Sequence, residues 1–207
     1  MADGARQCSV LFDKGDSIVD FGFGTILLII LLAVAGYVIL IYNGLVRARQ
    51  MVREAWSGID VQLKRRADLI PNLIETVKGY AKHERAALEE VTALRTRAQS
   101  LPSDDVAGRA QVEGMLGMAL GRLFAVAEAY PDLKANENFV QLQASLETLE
   151  SEIQMSRRYY NGAARDLNIK VESFPSNLVA STFGFKQAEY FEIENAADRA
   201  VPNVSFD

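Results

Sequence analysis

Between Val52 and Ala98, apolar residues return in alternating steps of four and three. They are Val52, Trp56, Ile59 and Leu63, then Ile70, Leu73, Val77 and Tyr80, then Ala87, Val91, Leu94 and Ala98. Only Arg66 and Glu84 interrupt the series. A seven-residue period held this long makes one apolar stripe on a helix and requires partner helices to cover it. As one helix the stretch would run roughly 70 Å at about 1.5 Å per residue. Pro71 lies inside it, removes a backbone donor and crowds the carbonyl of Ala67. The helix is therefore expected to kink there, or to split into two near residues 67–71. The freed carbonyl needs a donor from a neighbouring helix or from water.

Two more stripes follow. Ser100-Leu101-Pro102-Ser103 reads as a turn, with Ser103 capping a helix whose positive end suits Asp104 and Asp105. That helix runs to about Tyr130 on Val112, Leu116, Ala119, Leu123, Val126 and Tyr130, and Pro131 ends it. Asn136 or Asn138 can cap the next, which reaches about Val171. Its stripe is Phe139, Leu142, Leu146, Leu149, Ile153, Ser156, Tyr160, Ala163 and Leu167. Ser173-Phe174-Pro175-Ser176 breaks it, and a short helix to Thr182 follows.

Upstream, residues 21–41 carry no charge. At about 1.5 Å per residue they span roughly 31 Å, the thickness of a bilayer's hydrocarbon core. A cleaved signal peptide is the rival reading, since Ala33-Val34-Ala35 offers a small-x-small pattern. The acidic preceding segment and the apolar residues that resume at Tyr37 argue against it. Cys8 follows no apolar run, so the bacterial lipoprotein arrangement is absent. Arg47, Arg49 and Arg53, then Lys64, Arg65 and Arg66, outweigh Arg6 and Lys14 before the span. Flanking basic residues face the cytoplasm, which puts the N-terminus outside; a periplasmic bundle is the alternative. The first three arginines would meet anionic headgroups, each worth about 1 kcal/mol near the surface.

The expected fold class is all-α: a transmembrane helix, then an antiparallel bundle of three long helices plus a short C-terminal one. The parts are an arm over 1–20 with little fixed structure, the span over 21–42, the bundle over 43–185, and an acidic, aromatic tail over 186–207.

Chemistry is sparse. One cysteine, Cys8, excludes an intrachain disulfide, and the single histidine is His83. A di-metal carboxylate bundle needs Glu-x-x-His on two helices, whereas Tyr80 stands three residues before His83. His83 reads as a solvated residue beside the stripe. A net charge of −5 gives no broad basic surface for nucleic acid. The stripe's polar interruptions say more. Arg66 and Glu84 must pair or lie at a bundle edge with their stems over apolar surface; the edge is the plainer expectation. Arg65, Arg66, Asp68 and Asn72 near Pro71 form a candidate interaction surface. Phe183, Phe185, Tyr190 and Phe191 are either a lid on the bundle or a docking segment.

Several stretches together resemble the LemA family of bacterial membrane proteins. They are Tyr42-Asn43-Gly44-Leu45-Val46 after the apolar span, Ala55-Trp56-Ser57-Gly58-Ile59-Asp60 running on to Arg66, and Asp68-Leu69-Ile70-Pro71-Asn72-Leu73. Val77-Lys78-Gly79-Tyr80, Tyr160-Asn161, Phe174-Pro175-Ser176-Asn177 and Phe183-Gly184-Phe185 complete the set. The resemblance implies an anchored antiparallel bundle in the bacterial inner membrane, with the bulk inside. It brings no catalytic, cofactor-binding or metal residue with it. The expected function is a non-catalytic scaffold or adaptor acting through helical self-association. A regulator of another membrane protein is the alternative, and a hydrolase or metal enzyme a weaker one. The partners are the bilayer, further copies (the long helix outruns the second, leaving stripe uncovered) and an unidentified membrane protein.

Overall fold

The computed structural model describes residues 7–81 and 83–192, with side chains from residue 24 onward. The expectations for the side chain of Cys8 and for the tail beyond residue 192 lie outside the described residues. Among the described residues six helices follow one another: α1 (Gln7–Tyr80), α2 (Arg85–Ser100), α3 (Val106–Ala127), α4 (Pro131–Lys134), α5 (Glu137–Glu172) and α6 (Ser176–Thr182). Among the described residues there is no strand. The all-α expectation holds, with two helices more than expected, α2 separated from α1 and the short α4. The chain divides into two compact units: Met1–Arg47 with Lys170–Phe185, and Ala48–Ile169 with Lys186–Asp207.

In the first unit, α1 starts at Gln7, inside the arm expected to lack fixed structure. Extending an existing helix adds one hydrogen bond per residue fixed, so a long helix propagates outward at little cost. From Ile26 to Leu32 every residue is more than half exposed, as are Ile39 and Leu40. This is the one described helix long and apolar enough to cross a membrane. α6 ends on Gly184, whose φ of 70° suits a residue without Cβ. The Phe185 amide reaches back to the Ala180 carbonyl at 2.9 Å.

In the second unit, side-chain pairs fix the directions. Arg95 meets Ala67, Glu113 meets Arg66, Tyr130 meets Glu84, and Asn136 meets Tyr80. Farther along α5, Glu150 meets Arg66 and Tyr160 meets Trp56. Helices α1, α2, α3 and α5 thus run alternately up and down. The stripe on α1 is covered within the chain: Ile59, Leu63, Ile70, Leu73 and Val77 are all buried. Among the described residues, the part of this stripe expected to lack a partner within the chain is mostly covered, and Tyr80 at its end is 43% exposed.

Pro71 neither splits nor ends the helix. The Ala67 carbonyl that it frees accepts a bond from Arg95 Nε at 2.7 Å, so the neighbouring helix supplies the donor. Helix α1 ends at Tyr80 instead, and α2 starts at Arg85. Tyr80 turns outward while Ala81 is fully buried, and the Glu84 amide bonds the Ala81 carbonyl at 3.2 Å. The cap expected at Ser103 also moves. Asp105, not Ser103, accepts from the Gly108 amide at 2.8 Å. A Cβ on residue 108 would lie 2.2 Å from Asp105 Oδ2, so a side chain there would displace the capping carboxylate. Ser103 instead gives its carbonyl to Trp56 Nε1 at 2.8 Å. Asn136 caps α5 as expected, accepting from the Phe139 amide.

Candidate functional site

Arg66 is not at an edge of the bundle. It and Glu113 are each 3% exposed, in the middle of the second unit. An isolated charge there would be very costly, so the guanidinium needs partners. Its Nη2 contacts the Glu113 carboxylate and donates to the Glu113 carbonyl at 3.1 Å. Its Nη1 donates to Glu150 Oε2 at 2.8 Å. Gln154 donates to the other Glu150 oxygen at 2.9 Å. One cation thus joins α1, α3 and α5. Arg66 Nε has no hydrogen-bond partner. A cleft of about 310 Å³ opens beside it, lined also by Gln154, Arg157 and Phe191.

Burying Arg66 separates it from the rest of the expected interaction surface. Arg65, Asp68 and Asn72 are exposed, and steps of three and four put them on one face of α1. Arg65 Nη1 lies 4.0 Å from Glu152 of α5. On the groove between α1 and α5, Met155 and Tyr159 are more than half exposed. They flank an opening of about 470 Å³ over Ala55 and Gly58. A Cβ on Gly58 would meet nothing within 4 Å, so packing within the chain does not demand glycine there.

The four C-terminal aromatics part company. Phe185 and Phe191 are buried, while Phe183 and Tyr190 keep exposed surface. Phe191 packs against Trp56, which also meets Tyr160. Residues 186–192, assigned to the tail by the sequence, run back along α5 on two amide clamps. Asn168 donates to the Ala188 carbonyl at 2.9 Å and accepts from its amide at 2.8 Å. Asn161 does the same to Phe191, at 3.2 and 2.9 Å. The spacing explains the fit. Seven helical residues rise about 10.5 Å, and three extended residues cover about 10 Å. Tyr160 closes the seal by donating to the Glu189 carbonyl at 2.8 Å. Burial, and then the charge of Glu189, push its phenol up to about 12.

Asn161 and Asn168 escaped the sequence reading. Two asparagines one heptad apart on a helix were the available signal, because asparagine is a poor helix former. Of the membrane-proximal arginines, Arg47 and Arg53 are exposed and Arg49 is half-buried. His83 is exposed on the turn after α1. Among the described residues, no group of three or more His, Cys, Asp or Glu side chains is placed to hold a metal.

The model of the LemA family matches residues 55–206. Magnetosome proteins MamQ 1 and MamQ 2 of Paramagnetospirillum magneticum are each 29% identical over 184 residues, covering 77% of this chain and 68% of theirs. Protein LemA of Metamycoplasma hominis is 27% identical over 150 residues, covering 72% of this chain and 68% of its own.

Proposed function

The chain belongs to the LemA family, and from that premise we propose that it is a non-catalytic membrane scaffold or adaptor. It acts through contacts between helices on the groove of α1 and α5. The reading is carried by that groove: an exposed methionine and an exposed tyrosine beside a glycine, on a bundle whose own stripe is already mostly covered. Methionine adapts to irregular partners, and tyrosine offers apolar area with one polar tip. Arg65, Asp68 and Asn72 extend the same α1 surface as a polar rim. The uncharged helix of residues 24–41 supplies the anchor, because that many exposed apolar side chains need an apolar surrounding. The anchor lies in the bacterial inner membrane with the bundle in the cytoplasm, where Arg47 and Arg53 would meet anionic headgroups.

The test is a photo-crosslinking residue at Met155 or Tyr159 of the full chain in native membranes, with the mass measured in mild detergent. A uniform homo-oligomer crosslinked through these positions supports the scaffold. One stoichiometric partner protein supports the adaptor, or the regulator that is its close alternative. A monomer without crosslinks overturns the proposal. Gly58→Leu should fill the groove and abolish the crosslink without lowering the melting temperature.

A further inference from the structure

The first unit holds a second apolar surface besides its long helix. From Ser173 to Phe185 the chain carries no charged residue. The stretch is two-faced. Val179, Ala180 and Phe185 are buried, whereas Phe174, Leu178 and Phe183 are 80%, 58% and 54% exposed. Its place is fixed by Tyr42, at the end of the apolar span read over residues 21–42. The Tyr42 ring meets Phe183 at 4.9 Å and Phe185 at 5.7 Å, edge-on in both cases. Lys170 Nζ donates to the Gly44 carbonyl at 3.4 Å, tying the end of α5 to the same turn of α1.

We propose that residues 173–185 form a second membrane contact, with Phe174, Leu178 and Phe183 set into the interfacial layer of the leaflet from which α1 emerges. The inference rests on the reading that the uncharged run crosses the bilayer. If it does, Tyr42 stands at the bilayer surface, where aromatic rings collect. Its ring contacts then hold Phe183 at the same depth. Lipid is the occupant because the exposed apolar surface is continuous with the span, through Leu40 and Tyr42, both exposed. The segment also offers no charge by which a protein partner would be selected. Lys170 and the exposed Arg47 belong to the same unit and are available to headgroups. The contact resembles an interfacial helix, with apolar side chains entering only the outermost acyl region.

The test places one spin label per molecule on the full chain carrying Cys8→Ser, at Phe174→Cys, Leu178→Cys or Phe183→Cys. These side chains are exposed, so the labels leave the buried Phe185 and Ala180 undisturbed. The protein is reconstituted into vesicles of phosphatidylcholine and phosphatidylglycerol. Collision rates are read with oxygen, which prefers lipid, and with a nickel chelate, which prefers water. Leu32→Cys reports the span, and Ser151→Cys, at an exposed position of α5, reports water. The three labels should gain oxygen collisions and lose nickel collisions relative to position 151, by less than position 32 does. Water-like values at all three with a deep position 32 overturn the proposal and leave the span intact. A water-like position 32 overturns the spanning reading, and this proposal with it. Loss of both collision rates with dipolar broadening would assign the surface to a second copy, and would also overturn it.

Discussion

Two cores lie within the bundle unit, and they are built differently. One gathers Ile70, Leu73, Val77, Val91, Leu116, Leu123 and Phe139, with Leu133 of α4. Every large side chain in it comes from a helix and projects at a period that keeps it on the buried face. The other gathers Ile59, Leu63, Ile153 and Tyr160, and is completed by Phe191 from outside any helix. The first is closed mainly by helix pairing, with Ala81 and Tyr130 from the connections. The second stays open until an extended segment is clamped over it by Asn161, Asn168 and Tyr160. The buried Arg66 belongs to neither apolar cluster. The difference teaches that the bundle has a self-sufficient part and a part that depends on a returning strap.

The largest expected effect is on the charged centre. Arg66→Ala leaves Glu113 buried without its cation, and should cost about 3–5 kcal/mol of unfolding free energy. Replacing both, as Arg66→Met with Glu113→Leu, should recover most of that loss. Denaturant unfolding of the full chain in detergent reads both. If the double variant is as weak as the single, the ion pair is not what the site requires. Next come matched truncations in the two cores. Leu123→Ala should cost about 2–5 kcal/mol and lower the protection of all four long helices together. Phe191→Ala should cost about 3 kcal/mol, the low end for its size, because the strap can detach without unfolding the bundle. Hydrogen exchange separates the two: protection lost across the unit for Leu123, confined to the strap and its surroundings for Phe191. Equal spread would erase the distinction between the cores.

The same contrast explains what could be read from the sequence. Periodicity located the buried faces of α1, α3 and α5 almost residue by residue, because a helix's facing is set by spacing alone. The proline pointed to a kink or a split at residues 67–71, yet the helix continues there, since Arg95 supplies the missing donor from another helix. A single stretch of sequence has no way to announce that a distant helix will satisfy that carbonyl. Arg66 was misjudged for a similar reason. The cost of burying an arginine is visible locally, whereas the two glutamates that offset it lie 47 and 84 residues away. The strap was read as a tail because its sequence is charged and aromatic without a helical or alternating pattern. Its docking depends on Asn161 and Asn168, which look like weak helix positions until the partner backbone is placed. Of the candidate interaction surface, the exposed face of Arg65, Asp68 and Asn72 was legible; Met155 and Tyr159 were not, as they are off the α5 stripe and only the fold sets them beside Gly58.

A smaller effect sharpens the view of the strap from the side of pH. Tyr160 ionises near 10 in the unfolded chain and at about 12 in the fold. The folded state therefore holds its proton over that window while the unfolded state gives it up. Stability is unaffected below pH 10 and falls as pH rises towards 12. Comparing the pH dependence of unfolding for the parent and Tyr160→Phe isolates the group, and only the parent should show the additional decline. Exchange should locate that loss in residues 186–192 first. A parallel decline in both proteins would mean that the phenol is not sealed by the strap.

The smallest effect is the control for the largest. Arg122 and Glu90 also form a direct ion pair between helices, α3 and α2, but their side chains are 58% and 45% exposed. Water already solvates both ends, so there is little desolvation to compensate and little stability to lose. Arg122→Ala should cost no more than about 0.5 kcal/mol, and added salt should reduce even that. The chemistry is that of Arg66 with Glu113: a guanidinium on one helix and a carboxylate on another. Only the surroundings differ. If the two alanine variants differed by less than about 1 kcal/mol, burial would not be what makes the Arg66 centre matter. Its contacts to α3 and α5 would then be a matter of geometry rather than of stability.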